Sequence, residues 1–151
     1  MQASSVISAQ QLVAGQQEGV LATLSVRHAG WPFASLAPYA LDVRGEPLLL
    51  LSNLAEHTRN LRADARASLL VQDGGGQAGA RLTLLGEVAE LTADEAVADA
   101  RQRYVERHPD TAEYFSVLDF RLYVLHVRAA RFIAGYGDMG WLDAAELIAT
   151  A

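Results

Sequence analysis

Cysteine is absent from the 151 residues, so the chain can form no disulfide, zinc–thiolate site, iron–sulfur cluster or thiol nucleophile. A membrane-spanning run of roughly 18 apolar residues is also missing, and the chain does not begin with a basic segment followed by an apolar one. We therefore expect a cytoplasmic protein with no membrane partner.

Positive charge is scarce: the chain has 12 Lys and Arg residues against 18 Asp and Glu residues, which gives a net charge of -6. A general nucleic-acid binder needs the opposite balance to displace counterions from phosphates, so we expect no nucleic-acid partner. Hydrophobic residues make up 51% and charged residues 20%, which is typical of a globular chain. One domain with its own core accounts for this length, and we assign residues 1–151 to it.

Motifs for catalysis and metal binding are missing as well. The four histidines show no metal-ligand spacing and no G-x-S-x-G occurs, so we predict no metal site and assign no catalytic residue. The segment GYGDMG (135–140) satisfies G-x-G-x-x-G, but only residues 141–151 follow it. A dinucleotide-binding unit needs a further strand and an acidic residue about 20 residues on, so we predict a Gly-rich turn instead.

Short apolar and alternating runs predict six strands, at residues 20–28, 32–41, 48–53, 67–72, 80–91 and 119–137. Pro38 lacks an N–H, which places its strand at a sheet edge or a bulge. Gly86 indicates a bulge in the long fifth strand. Because hairpins join most of these strands, we expect a mainly β fold, an antiparallel barrel with helices over its ends.

Helical spacing predicts a helix over 6–17, a short helix from about residue 56, a helix over 92–108 and one in the last segment. Thr92 followed by Glu95 is a typical helix start signal. A helical turn is expected near 110–115.

The polar segment that follows the strand at 48–53 indicates an anion site. A strand that turns into a helix near residue 56 points backbone N–H groups outward, where the helix dipole favours an anion. His57 and Thr58 fall in the first turn with Arg59 nearby, and they supply a cation and a hydroxyl donor. The alternative is that Ser52 or Asn53 only caps the helix and the cations form a solvated face.

The second strand carries Ala34, Ser35, Leu36 and Ala37, whose backbone and mostly small side chains suit a shelf for a flat ligand with a phosphate tail. Arg81 begins another strand of mixed polarity. The alternative is that the small residues only allow close packing of the sheet.

Four blocks of the sequence resemble a known superfamily. They are GWPFASLAPYALD (30–42), LLLLSNLAEHTRNLRADARASLLV (48–71), ARLTLLGEVAEL (80–91) and ARFIAGYGDMGWL (130–142). From about Gly19 to Leu142 the chain resembles the FMN-binding split barrels typified by pyridoxamine 5′-phosphate oxidase, and more closely their haem-utilisation (HugZ-type) branch.

The resemblance implies a six-stranded antiparallel split barrel that forms a homodimer and holds FMN at the dimer interface. The cofactor-binding positions that it implies are Ser35, Leu36, Ala37, Ser52, Asn53, His57, Thr58, Asn60 and Arg81. The main expectation is an FMN-dependent oxidoreductase that acts on a small-molecule substrate. Because Ser35, His57 and Thr58 stand where the oxidases have basic residues, oxidation of pyridoxamine phosphate itself is not expected.

Two alternatives remain open. The haem-utilisation branch implies a haem-binding or haem-degrading protein, for which His28 and His126 are candidate axial ligands and Asp119 resembles a polar position of the branch. The other alternative is a dimeric scaffold or regulator without a cofactor.

Overall fold

The computed structural model describes residues 1–135 and 137–149, which form eight strands. They are β1 (Glu18–Leu24), β2 (Pro32–Pro38), β3 (Ala40–Leu41), β4 (Pro47–Ser52), β5 (Arg66–Gln72), β6 (Arg81–Glu90), β7 (Phe120–Ile133) and β8 (Met139–Asp143). The strands form one antiparallel sheet in the order β2-β1-β5-β6-β7-β4-β3, with β8 also paired to β7. The sheet curls until β2 contacts β4, which gives the mainly β split-barrel class expected from the sequence.

The long strand β7 has a break along one edge. Its other edge pairs with β6 from Tyr123 to Ile133. The broken edge pairs with β4 at residues 120–124 and with β8 at residues 129–133. We call residues 125–128, which lie between these two partners, the β7 gap.

The sequence predicts six strands where the structure has eight. The predicted strand 32–41 is divided into β2 and β3, because Pro38 cannot donate a ladder hydrogen bond. The predicted strand 119–137 ends at Ile133, and β8 was not anticipated; Tyr136, within that prediction, lies outside the described residues.

Two local predictions about the strands are confirmed. Pro38 ends β2, an outermost strand of the sheet. The register of β6 against β7 shifts between Leu85 and Gly86, where an added Cβ would overlap the carbonyl oxygen of His126. Gly86 is therefore required by the close approach of two backbones at the bulge.

The helices are α1 (Ala3–Gly15), α2 (Glu56–Ala63), α3 (Asp94–Arg107), α4 (Tyr114–Val117) and α5 (Ala144–Leu147), with 3₁₀ turns at Gly76–Ala78 and Pro109–Thr111. The predicted helix start at Thr92 is wrong, because α3 begins after Ala93 and no side chain caps its N-terminus. The predicted C-terminal helix is the single turn α5, which a capping box between Asp143 and Glu146 begins. Residues 150–151 of that prediction lie outside the described residues. In the part of the chain described, no helix is long and apolar enough to cross a membrane.

Two apolar clusters lie on opposite faces of the sheet. The larger fills the barrel interior with side chains such as Leu21, Leu69, Leu84, Leu125 and Phe132. The smaller lies under α3, where Ala100 and Tyr104 pack on Leu48, Leu122 and Val124. Since α3 covers only the β4–β7 side of the outer face, the rest of that face is open to a ligand or a partner.

Candidate functional site

The N-terminus of α2 lies beside the edge strand β2 and has no side-chain cap. The helix begins at Glu56, as predicted, after Ala55, which has no polar side chain. Neither Ser52 nor Asn53 caps it: Ser52 Oγ accepts a hydrogen bond from the backbone N–H of Leu54 at 3.2 Å. The first-turn N–H groups therefore keep the partial positive charge that favours an anion.

His57 and Ser35 meet across the junction of α2 and β2. Ser35 Oγ and His57 Nδ1 are 3.1 Å apart and share a hydrogen bond. Both residues are half-buried, and burial lowers the pKa of the His57 imidazole below its ordinary value. The neutral imidazole is therefore favoured here, and a nearby anion would raise that pKa again. Arg59, two residues after His57, is exposed.

Thr58, next to His57 on α2, has a buried hydroxyl without a partner among the described residues. Its side chain is 0% exposed, and Oγ1 has no hydrogen-bond partner among the described residues. A buried hydroxyl without a partner is costly, and such a group in a native protein calls for an explanation. Because the hydroxyl is also closed off from the surface, it lies out of reach of a ligand in this structure, and its cost falls on the stability of the folded chain.

Asn60 occupies the same helix but its side chain is bonded inside the chain. Nδ2 donates to Thr23 Oγ1 at 3.0 Å, and Oδ1 accepts from the backbone N–H of Val26 at 3.0 Å. Asn60 is 1% exposed, and both its bonds tie α2 to the end of β1. That Asn60 lies next to a ligand stays a prediction, whereas the structure shows its hydrogen bonds to Thr23 and Val26 within the chain.

Leu36 and Ala37 point to opposite faces of β2, because side chains alternate along a strand. Ala37 is buried in the barrel interior, whereas Leu36 is 67% exposed on the outer face. A shelf at residues 34–37 is therefore a feature of the backbone, not of one row of side chains.

Asn53 and Arg81 are hydrogen-bonded to groups other than Ser35 and His57. Asn53 Nδ2 donates to Asp119 Oδ1 at 2.6 Å, and Asn53 Oδ1 accepts from Arg62. Arg81 Nη1 donates to the carbonyl of Gln77 at 3.0 Å, and β1 and β5 separate Arg81 from β2. Within one chain the structure thus joins Ser35 to His57, buries Thr58 beneath the surface and separates Arg81 from them.

A buried carboxylate that the sequence did not single out fills the β7 gap. Glu46 precedes β4 and is only 3% exposed. Its Oε2 accepts the backbone N–H of Val127 at 2.8 Å, and its Oε1 lies 3.2 Å from His126 Nδ1 and 3.3 Å from Arg44 Nη1. The backbone N–H and the two basic side chains are the partners that a buried carboxylate needs. No sequence signal marked Glu46, because its position in the turn DVRGEP (42–47) is that of an ordinary turn residue.

The outer face of the sheet presents two adjacent rows of side chains. Register places Leu36, Val20, Leu70, Thr83, Arg131 and Trp141 in the first row. The second contains Ala34, Ala22, Ser68, Leu85, Ala129 and Asp143. Both rows lie on the outer face of the sheet, the side opposite the barrel interior. Trp141 is 57% exposed there, so the first row offers apolar surface to solvent.

A cavity of about 460 Å³ opens beside the second row. Its lining includes the apolar residues Ala22, Leu24, Pro32, Ala67 and Leu85, together with Arg66, Glu87 and Arg128. Arg66 pairs with Asp64 at 2.7 Å, and Arg128 with Glu87 at 3.0 Å, all with exposed or half-exposed side chains. The cavity therefore combines an apolar floor with two guanidinium groups at its rim.

Comparisons with known proteins place these features in context. Residues 2–149 match the model of a protein family described as CREG, beta-barrel. The chain is 34% identical, over 118 residues, to the chloroplastic non-canonical heme oxygenase HOZ of Arabidopsis thaliana; the match covers 78% of this chain and 36% of that protein.

Two solved structures are also similar to this chain. A haem-binding protein from Mycobacterium smegmatis superposes with a TM-score of 0.86 and 33% identity over 97% of this chain and 61% of that one. A Clostridium acetobutylicum protein of the pyridoxinephosphate oxidase family shares the fold, with a TM-score of 0.72 and 14% identity over 97% and 99% of the two chains. The predicted resemblance to split barrels and their haem-utilisation branch is thus confirmed. The chain spans less than two thirds of the length of the Arabidopsis and Mycobacterium proteins.

Proposed function

The chain belongs to the CREG β-barrel family, and from that premise we propose that it binds haem on the outer face of its sheet. The observation that carries the proposal is the cavity of about 460 Å³, whose apolar floor and two rim arginines match a flat apolar macrocycle with two carboxylates. Two relatives of about one-third identity, one named a heme oxygenase and one a heme binding protein, support this choice of ligand.

The rim arginines are free to change partners. The pairs Arg66–Asp64 and Arg128–Glu87 are solvent-accessible, and such pairs contribute little to folding stability. A carboxylate of the ligand can replace either acidic partner and form a two-point hydrogen bond with the guanidinium group. The apolar floor would then exclude water from the face of the macrocycle.

Hemin titration of the purified chain tests this function. We expect a saturable shift of the Soret band, and the titration gives the number of haems per chain. Light scattering then relates that number to the oligomeric state. Arg66→Gln combined with Arg128→Gln should weaken binding. Arg103→Gln, which breaks a surface pair with Asp99 on α3, is the matched control and should leave binding unchanged. A wild-type chain that gives no Soret shift would overturn the proposal.

The fate of bound haem distinguishes two versions of this function. Loss of the Soret band after addition of ascorbate and oxygen, with release of iron, would make haem a substrate. A stable band under the same conditions would make the protein a haem carrier.

FMN is a second candidate ligand, and it rests on the N-terminus of α2, which no side chain caps and beside which Ser35 and His57 meet. These groups suit a phosphate, and the flavin would make the chain an oxidoreductase on a small substrate. We expect the chain to bind FMN, with quenching of the flavin fluorescence. Riboflavin, which lacks the phosphate, should keep its fluorescence when the chain is added. Equal binding of both flavins would exclude the phosphate site.

Either ligand needs the outer face to be covered, and we propose that a second copy of the chain covers it. Leu36 and Trp141 at the two ends of the first row are 67% and 57% exposed, and the row crosses six strands between them. A cofactor lying on an open sheet stays in contact with water unless a second subunit closes over it. A homodimer in light scattering is the expected state.

A further inference from the structure

We propose that the cavity on the outer face recognises the ring and the carboxylates of its ligand and not the iron, so that it takes a metal-free dicarboxylic porphyrin about as well as haem. This inference rests on the proposed haem-binding function and widens the ligand class to flat apolar tetrapyrroles with two carboxylates. It starts from the side chains that line the cavity and from what each can offer a ligand.

The cavity offers iron none of its usual protein ligands. Haem iron in proteins is held chiefly by histidine, cysteine, methionine or tyrosine. Among the residues that the structure describes, the lining contains none of these four types. The one carboxylate of the lining, Glu87, accepts hydrogen bonds from Arg128 Nε at 3.2 Å and Nη2 at 3.0 Å. The lining therefore suits the ring and the carboxylates of a haem but does not fit ligation of its iron.

The two histidines that the sequence marked as candidate iron ligands stand outside the lining. His126 is the register partner of Glu87 and so borders the cavity, but its ring is turned to Glu46, whose Oε1 lies 3.2 Å from Nδ1. Glu46 in turn accepts the backbone N–H of Val127 at 2.8 Å and fills the β7 gap. His28 lies in the exposed turn between β1 and β2. Both imidazoles are thus absent from the cavity wall.

The bulge between β6 and β7 supplies one of the two rim arginines. Leu85 pairs with Ala129 and Gly86 pairs with Val127, which leaves Arg128 as the extra residue of β7. Such an extra residue is released from the strict alternation of a strand, so a bulge can redirect its side chain. Val127 packs in the barrel interior, whereas the side chain of Arg128 is 71% exposed and lines the cavity. The irregularity that requires Gly86 therefore also places a cation at the rim.

The second rim arginine stands across β6 from the first. Arg66 on β5 is the register partner of Glu87, and β5 and β7 flank β6 in the sheet. At the usual spacing between strands, Arg66 and Arg128 are therefore about 10 Å apart at the backbone. Two flexible carboxylate side chains on one edge of a flat ring can reach one guanidinium group each, and a guanidinium group can bind a carboxylate through two parallel hydrogen bonds.

These contacts have the same strength with and without iron in the ring. The hydrophobic contribution depends on the apolar area removed from water, and iron at the centre of a porphyrin leaves that area and the two carboxylates unchanged. We therefore expect the dissociation constants of hemin and protoporphyrin IX to agree within about 10-fold. Because loss of even an outer partner of a metal ligand costs about 10–100-fold in metal affinity, a site that ligates the iron should prefer hemin by more than that margin.

Parallel titrations of the full chain with hemin and with protoporphyrin IX test this inference. The Soret band follows hemin, porphyrin fluorescence follows the metal-free ring, and displacement of one by the other shows whether they share a site. Arg66→Gln combined with Arg128→Gln should weaken both ligands by the same factor, at least about 10-fold, while the control Arg103→Gln should change neither. The dimethyl ester of protoporphyrin IX, which lacks the charges, should bind at least about 10-fold more weakly than the free acid. His126→Ala should bind both free acids like the wild type.

The outcomes separate this inference from the function on which it rests. A wild-type chain that binds neither hemin nor protoporphyrin IX removes both. Hemin binding that exceeds protoporphyrin binding by more than about 10-fold would reveal an iron ligand, from this chain or from a second copy, and would overturn the inference while haem binding stands. A loss of hemin binding alone in His126→Ala, or protoporphyrin that hemin does not displace, would also overturn it. Circular dichroism of the ligand-free variants identifies any that fail to fold.

Discussion

Two buried threonines should respond in opposite ways to the same substitution. Thr58 Oγ1 has no hydrogen-bond partner among the described residues, whereas Thr23 Oγ1 accepts a hydrogen bond from Asn60 Nδ2 at 3.0 Å. Their exposures are 0% and 1%, so burial does not distinguish them. Replacing either with valine exchanges a hydroxyl for a methyl group of nearly the same shape.

The expected free-energy changes follow from the hydrogen bonds. Thr58→Val removes an unpaired buried hydroxyl, which costs about 1–3 kcal/mol, so the ligand-free chain should become more stable by a value in that range. Thr23→Val removes the acceptor and leaves the buried Nδ2 of Asn60 without a partner, which should destabilise the chain by about 1–3 kcal/mol. In a chain of this length, each kcal/mol corresponds to a change of about 2–4 °C in Tm.

Urea denaturation and thermal melts of the three ligand-free proteins measure this difference. The reasoning is refuted if Thr58→Val destabilises the chain as much as Thr23→Val does, since the hydroxyl would then be bonded within the protein.

Three further predictions concern pH, association and packing. Burial lowers the pKa of His57, so the unfolded chain binds the proton more readily than the folded chain. The free energy of unfolding should therefore fall as the pH drops below about 6.5. His57→Gln should lessen that fall in urea melts at different pH. Leu36→Asp should convert the proposed homodimer to a monomer in light scattering, whereas Val43→Asp, at another exposed apolar side chain outside the two rows of the outer face, should leave the dimer intact. Gly86→Ala should destabilise the chain by about 1–3 kcal/mol or more, because its Cβ would overlap the His126 carbonyl. Gly15→Ala, with open space around the added Cβ, should instead be neutral or stabilise α1 by up to about 1 kcal/mol; equal losses in these two variants would contradict the account of the bulge.

The strands of this fold were largely predictable because their signals are local. Alternating apolar residues and short apolar runs located β1, β4, β5 and β6, since a half-buried strand repeats its environment every two residues. The roles of Pro38 and Gly86 followed from backbone chemistry that holds in any fold. The helix start at Thr92 failed because capping depends on where the preceding chain enters the helix, which the sequence motif does not fix.

The candidate site was predicted in part. The polar segment after β4 gave the start of α2 and the pair His57 and Thr58, because strand-to-helix turns have a local signature. The contact between His57 and Ser35 joins residues 22 positions apart, so it depends on β2 lying next to α2. Asn60 had the same sequence context as its neighbours, yet the fold bonds it to Thr23 and Val26 inside the chain.

Composition and periodicity by themselves determined that this chain lacks thiol chemistry and forms an antiparallel β barrel with helices around it. Only the tertiary structure brought Glu46 to His126, which stands 80 residues later in the chain. The reason is physical: strand periodicity is set by the nearest residues along the chain, whereas the β7 gap exists because β4 and β8 end before they meet. The unpaired edge left there requires a buried acceptor, and that requirement places a carboxylate beside a histidine.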